Sequence, residues 1–235
     1  MSAVRYWTPR YLGDRVRVML HEWTNPSDPW FTQQATRLLE SLLRPDDVGV
    51  EWGSGRSTLW FARLVAKLVS VEHNQAWYER VLNQLKRSSI SNVDYRLAPV
   101  GDGGQVTAWG DTGSYHLRNN LAQQSRAGTA VAVRTNPYAE VVEEFAPSQL
   151  GFVSVDGMWR GECALRSLPK LRPGGLMIVD NINWFLPCAS TAPGSRAIDA
   201  KPASDEWAEF SRLVREWRYV WTSNGVSDTA VWLKP

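Results

Sequence analysis

Short runs of β-branched residues alternate with helix-like patterns from residue 32 to the end of the chain, and this alternation limits the fold more than any other feature. Alternating strands and helices predict a mostly parallel sheet with helices on both faces. The last two strand patterns are separated by residues 223–226, where an Asn-Gly pair is typical of a hairpin turn. We therefore predict an α/β fold that ends with an antiparallel hairpin. The predicted strands are residues 48–51, 68–72, 93–97, 151–155, 176–179, 218–222 and 229–233.

The composition is that of one packed domain. The chain has 235 residues, of which 43% are hydrophobic and 21% are charged, so it is too apolar for a disordered chain. Its 26 basic and 24 acidic residues leave a formal charge of +2, which gives no general reason to expect a nucleic-acid or membrane partner. Cys163 and Cys188 are too few for a disulfide framework. We find no secretory signal and no apolar run of about 18 residues, so we expect a cytoplasmic protein.

Two glycines lie between the first predicted strand and the helix that follows it. Gly53 and Gly55 allow a tight turn and the close approach of a ligand. The helix that begins at Ser57 offers unpaired N–H groups to a carboxylate or another anion. Glu72 ends the second strand roughly 20 residues after Glu51, and a carboxylate there can accept hydrogen bonds from both hydroxyls of a ribose. Together these features predict a ligand that contains a nucleoside.

Two details separate this turn from a dinucleotide site. Thr58 occupies the position of the third glycine in the dinucleotide fingerprint, which argues against a nicotinamide-dependent oxidoreductase. Glu51, just before the turn, suits a ligand with a cationic amino group better than a pyrophosphate.

Three segments carry a family resemblance. Residues 51–57 (Glu-Trp-Gly-Ser-Gly-Arg-Ser) resemble the first motif of class I S-adenosylmethionine-dependent methyltransferases. Residues 155–157 resemble the end of that family's fourth strand, and residues 171–176 resemble its turn into the fifth strand. The resemblance extends from about residue 29 to residue 235. It implies a Rossmann-like, seven-stranded sheet, mostly parallel, with an antiparallel terminal hairpin and helices on both faces.

The resemblance also implies a cofactor, S-adenosyl-L-methionine, and its product, S-adenosyl-L-homocysteine. The glycines of the turn and Ser57 would surround the methionine moiety, Glu72 would hold the ribose, and His73 and Ala98 would lie near the adenine. The candidate cofactor residues are Glu51, Gly53, Gly55, Ser57, Thr58, Glu72, His73, Ala98 and Asp156.

Oxygen-bearing side chains follow two neighbouring strands. Asp156 ends the fourth strand, and Asp180 and Asn181 end the fifth, so parallel pairing would bring them to one rim. Two carboxylates and an amide suit a hard cation such as Mg²⁺. The arrangement is similar to that of metal-dependent catechol-type and macrolide-sugar O-methyltransferases, in which the metal binds two substrate oxygens. The alternative is that both acids only cap turns and contact the cofactor.

The general base is open between two residues. Asp156 could accept the proton of the acceptor, and so could His116, which lies in a long segment without periodicity. Catechol-type enzymes carry a lysine base shortly after their first aspartate, whereas here Arg160 follows Asp156. Because arginine stays protonated, Arg160 is a poor base and a better clamp for a substrate or cofactor carboxylate. A catechol acceptor is therefore not expected.

The chain contains 13 tryptophans, and Trp30, Trp159 and Trp184 fall on predicted loops at the ligand rim. Flat aromatic faces with an N–H group suit sugar rings, so the leading prediction is O-methylation of a sugar or glycoside. The composition also resembles that of small actinobacterial glycan-modifying methyltransferases, such as the 1-O-methyltransferase of methylmannose polysaccharide assembly. The alternatives are O- or N-methylation of a small aromatic metabolite, and a non-catalytic cofactor-binding module.

We divide the chain into two parts. Residues 32–235 are predicted to form the methyltransferase domain, with the aperiodic segments 99–137 and 183–203 on the acceptor side. Residues 1–31 form an N-terminal arm too apolar to hang free, and we expect it to cover the acceptor site as a lid or to make a homodimer contact. The expected partners are a small molecule or oligosaccharide and a second copy of the chain.

Overall fold

The structure is a computed structural model and describes residues 7–99 and 136–235. A seven-stranded sheet forms its centre, with α-helices and two short 3-10 helices around it. The strands are β1 (Val48–Trp52), β2 (Lys67–Glu72), β3 (Val93–Leu97), β4 (Leu150–Val155), β5 (Leu171–Asp180), β6 (Arg218–Ser223) and β7 (Asp228–Leu233). The α-helices are α1 (Pro9–Thr24), α2 (Gln33–Leu42), α3 (Arg56–Ala62), α4 (Gln75–Arg87), α5 (Pro137–Glu140), α6 (Arg160–Ser167) and α7 (Asp205–Leu213).

The strand order confirms the predicted fold. It runs β3-β2-β1-β4-β5-β7-β6, and the first five strands pair in parallel while β7 lies antiparallel between β5 and β6. The order reverses between β1 and β4, where the chain switches from one side of the sheet to the other. In open α/β sheets, the carboxyl ends of the strands at such a switch point form the ligand crevice.

Both faces of the sheet are covered. All six residues of β4 are buried, as expected for a central parallel strand with helices on each side. One core lies between the sheet and α6 and α7, and the other lies between the sheet and α2 and α3. In the second core, Phe61 stacks on Phe152 with ring centroids 4.8 Å apart. Because the core is continuous along β1 and β4, the strand ends beside the switch point are held in fixed positions.

Three elements differ from the sequence-based expectations. The sequence pattern predicts a helix around residues 139–145, and the structure instead has the four-residue α5 followed by a 3-10 helix, Val141–Glu144. Strand β5 begins at Leu171, before the predicted turn, because Leu171 already pairs with Leu150. Residues 172–175 form an irregularity in the β4–β5 register, and Gly174 has a φ of +75° there. Helix α1 forms within the arm, where a Thr8 cap and Pro9 begin it.

The arm meets the core of the domain just before the predicted boundary. Phe31, which the prediction places in the arm, is buried against Phe61. Thr32 caps α2 and donates its backbone N–H to the Thr229 hydroxyl at 3.1 Å, which ties the start of the domain to β7. In the described ranges, no helix has the length and apolarity that crossing a bilayer requires.

Candidate active site

The glycine turn lies at the carboxyl end of β1 and presses against the end of β4. Gly53 has a φ of +88°, and a Cβ atom there would lie 2.7 Å from the carbonyl carbon of Asp156. Gly157 closes the same contact, since its own Cβ would lie 2.8 Å from the Gly53 nitrogen. Gly53 is therefore required by the packing of the two strand ends as well as by its conformation.

Gly55 is in a different situation. Its backbone is extended, and an added Cβ would approach only Trp77, at 3.9 Å. Its N–H donates to the Thr58 hydroxyl at 2.9 Å, and that hydroxyl in turn donates to Glu51 at 2.6 Å. Thr58, predicted as a cofactor residue, is thus occupied in holding the turn against β1. Packing within the described chain gives no strong reason for a glycine at position 55, so the open face above it is available to a ligand.

Glu51 is a fully buried carboxylate beneath the turn. Its Oε2 accepts the hydroxyls of Thr58 and Ser70, each at 2.6 Å, whereas its Oε1 has no hydrogen-bond partner among the described residues. Burial raises the pKa of Glu51 to about 7, although the hydroxyls of Ser57, Ser70 and Thr58 oppose this shift. A cation bound beside this unpaired buried oxygen would stabilise the ionised form of Glu51.

Glu72 is buried, and each of its two carboxylate oxygens accepts two hydrogen bonds. Oε2 accepts the backbone N–H and the hydroxyl of Ser54, at 3.2 and 2.9 Å, and Oε1 accepts the N–H groups of His73 and Asn74, at 2.9 and 2.8 Å. Burial by itself would raise the pKa of Glu72, but the hydrogen bonds from His73 and Asn74 outweigh it, so the pKa is lowered. Ala98 lies beside it and donates its N–H to the Glu72 carbonyl at 2.8 Å. Glu72, His73 and Ala98 therefore lie close together, and Ser54 binds Oε2 of Glu72 through its N–H and its hydroxyl.

Asp156 and Arg160 form an ion pair at the end of β4. The guanidinium of Arg160 lies 2.9 Å from Oδ1 of Asp156, and the Asp156 side chain is 29% exposed at the rim. The remaining N–H groups of Arg160 reach the carbonyls of Asp156, Gly157 and Asp180 and the side-chain oxygen of Asn181, at 2.6 to 3.1 Å. Four N–H···O hydrogen bonds and the ion pair with Asp156 therefore engage the guanidinium within the protein. Arg160 fastens the end of β4 to the end of β5, and its predicted role as a substrate clamp stays a prediction.

Asp180 is held away from the rim. It is 5% exposed, and its Oδ1 accepts the hydroxyl of Thr229 at 2.6 Å. Burial, together with the nearby charge of Asp156, raises the pKa of Asp180 to about 8. The predicted metal ligands Asp156, Asp180 and Asn181 are thus neighbours, but a guanidinium already lies against two of them.

These donors are arranged around Arg160 and not around a shared space for a divalent cation. Mg²⁺ needs oxygens that converge on such a space, whereas here Oδ1 of Asp156 and Oδ1 of Asn181 lie against Arg160 and Oδ1 of Asp180 accepts from Thr229. The described part of the chain contains no cluster of three histidine, cysteine or acidic side chains that could hold a metal.

The three rim tryptophans do not form one platform. Trp30 lies against Trp77 with ring centroids 6.1 Å apart. Trp184 donates its indole N–H to the Pro193 carbonyl at 3.1 Å, within the 183–203 segment. Trp159 packs on Tyr138 with ring centroids 5.8 Å apart. Of the three tryptophans it is the one nearest to Asp156 along the chain, directly before α6. His116 lies outside the described residues.

Two residues beside Arg160 have left-handed backbones. Trp159 has a φ of 44° and Asn181 a φ of 50°, which is costly for side chains with a Cβ and rare for a bulky one. They follow the ends of β4 and β5, and the Arg160 hydrogen bonds hold both strand ends in place. Strained backbones of this kind concentrate at ligand sites.

Sequence reasoning missed three residues of this region. Ser54 links Glu72 to the Tyr95 hydroxyl, at 2.9 and 2.7 Å. Tyr138 accepts the Met158 N–H through its buried hydroxyl at 3.2 Å and supports the turn after β4. The position of Ser54 between the two glycines was a usable signal, whereas Tyr138 and Thr229 carry no local pattern.

Comparison with known proteins places this geometry in a wider context. A family model described as a methyltransferase domain matches residues 50–182, which is more than half of the chain. No curated protein matches the sequence significantly.

Solved structures share the fold at low sequence identity. A Staphylococcus aureus protein described as a caffeoyl-CoA O-methyltransferase is 14% identical, with a TM-score of 0.55 over 95% of this chain and 100% of that chain. A Streptococcus mutans protein described as a methyltransferase, in complex with SAH, is 9% identical, with a TM-score of 0.51 over 86% of this chain and 97% of that chain. A methyltransferase from Geobacter sulfurreducens is 11% identical, with a TM-score of 0.50 over 94% and 89% of the two chains.

Proposed function

This chain belongs to the methyltransferase-domain family, and we propose that it transfers the methyl group of S-adenosylmethionine to a hydroxyl oxygen of a small molecule. The observation that carries the proposal is the turn at the switch point of the sheet. There, Gly53 is fixed by packing, Gly55 leaves an open face, and Glu51 beneath them has an unpaired buried oxygen. This combination favours a ligand that lies close to the backbone at Gly55 and carries a cationic amino group.

The residues present fit the cofactor. The ammonium of its methionine moiety would supply the positive charge that Glu51 Oε1 lacks. The N–H groups at the start of α3 would receive the carboxylate. Glu72, with His73 and Ala98 beside it, would hold the ribose and adenine side, with the Ser54 hydroxyl moving from Glu72 to the ligand. When bound, the cofactor supplies an electrophilic methyl group on a sulfonium.

Asp156 is the best-placed base. It is the partly exposed carboxylate at the end of β4, directly against the glycine turn, and Arg160 fixes one of its oxygens. Its carboxylate would accept the proton of the acceptor hydroxyl as the oxygen–methyl bond forms and the sulfur–methyl bond breaks. Asp180 holds its proton at neutral pH and is enclosed by Thr229, so it is not suited to this role.

We propose that the reaction needs no divalent metal. The positive charge beside the two aspartates is the Arg160 guanidinium, which neutralises Asp156 and orders the rim by hydrogen bonds. The shape of the site and Asp156 would then orient the acceptor. The sugar or glycoside acceptor of the sequence-based prediction is retained as a proposal, supported by Trp159 close to Asp156 and by Trp30 in the cleft beside Gly55.

The first experiment measures cofactor binding by calorimetric titration with S-adenosylhomocysteine, with NAD as the control ligand. We expect micromolar binding of S-adenosylhomocysteine, none of NAD, and at least tenfold weaker binding by Glu51→Gln. Asp46→Asn removes an exposed acid before β1, at the opposite end of the sheet, and is expected to bind as the wild type does. If S-adenosylhomocysteine does not bind, the proposed function is wrong.

The second arm measures transfer of labelled methyl groups to a panel of glycosides and phenols, with and without a chelator. We expect Asp156→Asn to bind S-adenosylhomocysteine normally and to lose at least a hundredfold in kcat, consistent with loss of a general base. Activity should survive excess chelator. Loss of activity on chelation, with recovery on added Mg²⁺, would overturn the metal-free mechanism and leave the cofactor assignment intact. Activity on phenols alone would replace the sugar acceptor with an aromatic one.

A further inference from the structure

Helix α1 turns its apolar face away from the domain. No residue of α1 is buried. Trp23 is 80% exposed, and Leu12, Val16, Met19 and Leu20 are 43 to 57% exposed. Five large apolar side chains on one helix form an exposed patch of the kind that marks an interaction surface. We call the line of Leu12, Val16, Met19 and Trp23 the α1 stripe.

The opposite face of the same helix, which is more polar, is half-buried on the side of the domain. Asp14 lies against the β6–β7 turn, where a Cβ on Gly225 would come within 2.3 Å of its carboxylate. His21 pairs with Asp28 at 3.2 Å, and Asn25 bonds back to His21 at 3.0 Å. Tyr11, Asp14, Val18, His21 and Asn25 are half-buried and lie on the helix face opposite the α1 stripe. The α1 stripe therefore faces away from the side on which Asp14 approaches the domain.

The spacing of the α1 stripe is that of a helix–helix seam. Its members are separated by four, three and four residues, which is the repeat that packs one helix against another along its length. A general apolar surface would not need this spacing. The seam covers the whole 16-residue helix, which is about 24 Å long.

Charges beside the seam favour a second copy of the same helix in antiparallel orientation. Arg15 and Glu22 flank the stripe, and neither forms an ion pair within the described ranges. A two-fold axis between Val16 and Met19 brings Arg15 near Glu22 of the partner subunit, and does so twice. A parallel pair would instead set Arg15 against Leu20 of the partner subunit and leave both charges unpaired.

A lipid surface fits this helix less well. Interfacial helices carry a strongly charged face opposite their apolar face, whereas the face opposite the α1 stripe is attached to the domain. The helix has three arginines and two acidic residues, so its net charge is small.

We propose that the α1 stripe is a homodimer interface in which two copies of α1 pack antiparallel about a two-fold axis. Leu12 packs on Trp23 of the partner subunit, Val16 packs on Met19 of the partner subunit, and the Arg15–Glu22 pairs set the direction. One helix offers less than the roughly 800 Å² per partner of a standard interface, so we expect dissociation in the micromolar range. This proposal does not depend on the reaction that the domain catalyses.

Sedimentation velocity over a range of protein concentrations tests the proposal. We expect the wild type to shift from monomer to dimer between about 1 and 100 μM, near the affinity expected for a small interface. Met19→Asp should remain monomeric throughout. The matched control is Leu213→Asp, which places the same charge at an exposed leucine at the end of α7 and should dimerise as the wild type does.

Charge reversal tests the orientation. Arg15→Glu faces Glu22 of the partner subunit and should weaken dimerisation at least tenfold, while the double variant Arg15→Glu/Glu22→Arg should restore it. Both side chains lie outside the core, so circular dichroism should show an unchanged fold. A wild type that is monomeric at every concentration overturns the proposal. Dimerisation that survives Met19→Asp also overturns the proposal. Binding of the monomer to anionic lipid vesicles through α1 overturns it too.

Discussion

A buried carboxylate with an unpaired oxygen is an expensive group for a folded protein to retain. Glu51 is fully buried, and two hydroxyls satisfy only its Oε2. The hydroxyls of Ser57, Ser70 and Thr58 reduce the cost of ionising it but do not remove it, so burial still raises the pKa of Glu51 to about 7. The unpaired buried oxygen of Glu51 therefore favours binding of a cation and lowers the stability of the unliganded protein.

This cost predicts a pH dependence of stability. Glu51 holds its proton up to about pH 7 in the folded state, while a glutamate in the unfolded chain loses its proton near pH 4.5. The folded state therefore binds more protons between these values, and Glu51 makes the free energy of unfolding fall as pH rises from about 5 to 7, by about 3 kcal/mol in total. Glu51→Gln should lack this fall. Urea denaturation at pH 5 and pH 8 measures both.

The control for this measurement is Asp46→Asn, whose carboxylate is exposed before β1 and which should keep the wild-type pH dependence. Asp180, whose pKa is also raised, contributes in the same direction in every variant, so the difference between wild type and Glu51→Gln isolates Glu51. Equal pH profiles for wild type and Glu51→Gln would show that Glu51 is ionised in the free protein.

At the scale of single elements, the sequence predicted the strands well because each strand carries its own pattern. β3 has the predicted limits, and β1, β2 and β4 differ by one residue at one end. The exception is β5, where Pro173 and Gly174 were interpreted as a turn. Leu171 pairs with Leu150 before this segment and Leu176 pairs with Phe152 after it, so the turn signal marks an irregularity inside the strand.

Helix α1 was missed for a different reason. Its apolar residues were recognised as a group, but the arm was not assigned a secondary structure, although Thr8 and Pro9 form a helix start. The pattern of the α1 stripe identifies the exposed apolar side chains of the helix and gives no information about the contacts of the helix with the domain. The contact of Asp14 with the β6–β7 turn depends on a distant part of the chain and cannot be deduced from the local sequence, whereas the pairing of His21 with Asp28 is local.

The two glycines of the β1–α3 turn predict different losses. Gly53→Ala forces a Cβ into the backbone after β4 and into a left-handed conformation, so we expect at least about 2 kcal/mol of destabilisation. Gly55→Ala has an extended backbone and space for its Cβ, so its stability should change by less than about 1 kcal/mol. Its affinity for S-adenosylhomocysteine should still fall at least tenfold, because the methyl group lies on the open face.

Chemical denaturation and calorimetry on the same two proteins separate these effects. The pair acts as its own control, because the substitution is identical and the positions are two residues apart. Full affinity in a stable Gly55→Ala variant would mean that the open face is not the cofactor surface.

At the scale of the whole molecule, the two ends of the domain are joined beside the candidate site. Thr32 donates to the Thr229 hydroxyl, which donates to Asp180, so the start of the domain, β7 and the end of β5 form one chain of hydrogen bonds. Thr32 also pairs with Thr222 on β6 through their hydroxyls. Thr32 and Thr229 are 197 residues apart, which is why sequence patterns could predict the strand ends but not this connection.

This closure predicts where the cooperative unit begins. A chain that starts at Ser27 loses α1, none of whose residues is buried, and keeps Phe31 and Thr32. At sub-micromolar concentration it should unfold in one transition, with a free energy of unfolding within about 1 kcal/mol of the full chain, because it loses surface contacts alone. A chain that starts at Gln33 also loses the buried Phe31 ring and the Thr32 cap, and should be at least about 3 kcal/mol less stable.

Urea denaturation followed by both tryptophan fluorescence and circular dichroism measures the two chains side by side, and S-adenosylhomocysteine binding shows whether the site survives. The shorter chain serves as the reference for a loss that reaches the core. If the chain that starts at Ser27 were destabilised as strongly as the one that starts at Gln33, the polar contacts of Asp14 and His21 would hold more of the fold than their exposure indicates. α1 would then belong to the domain as well as to its interface.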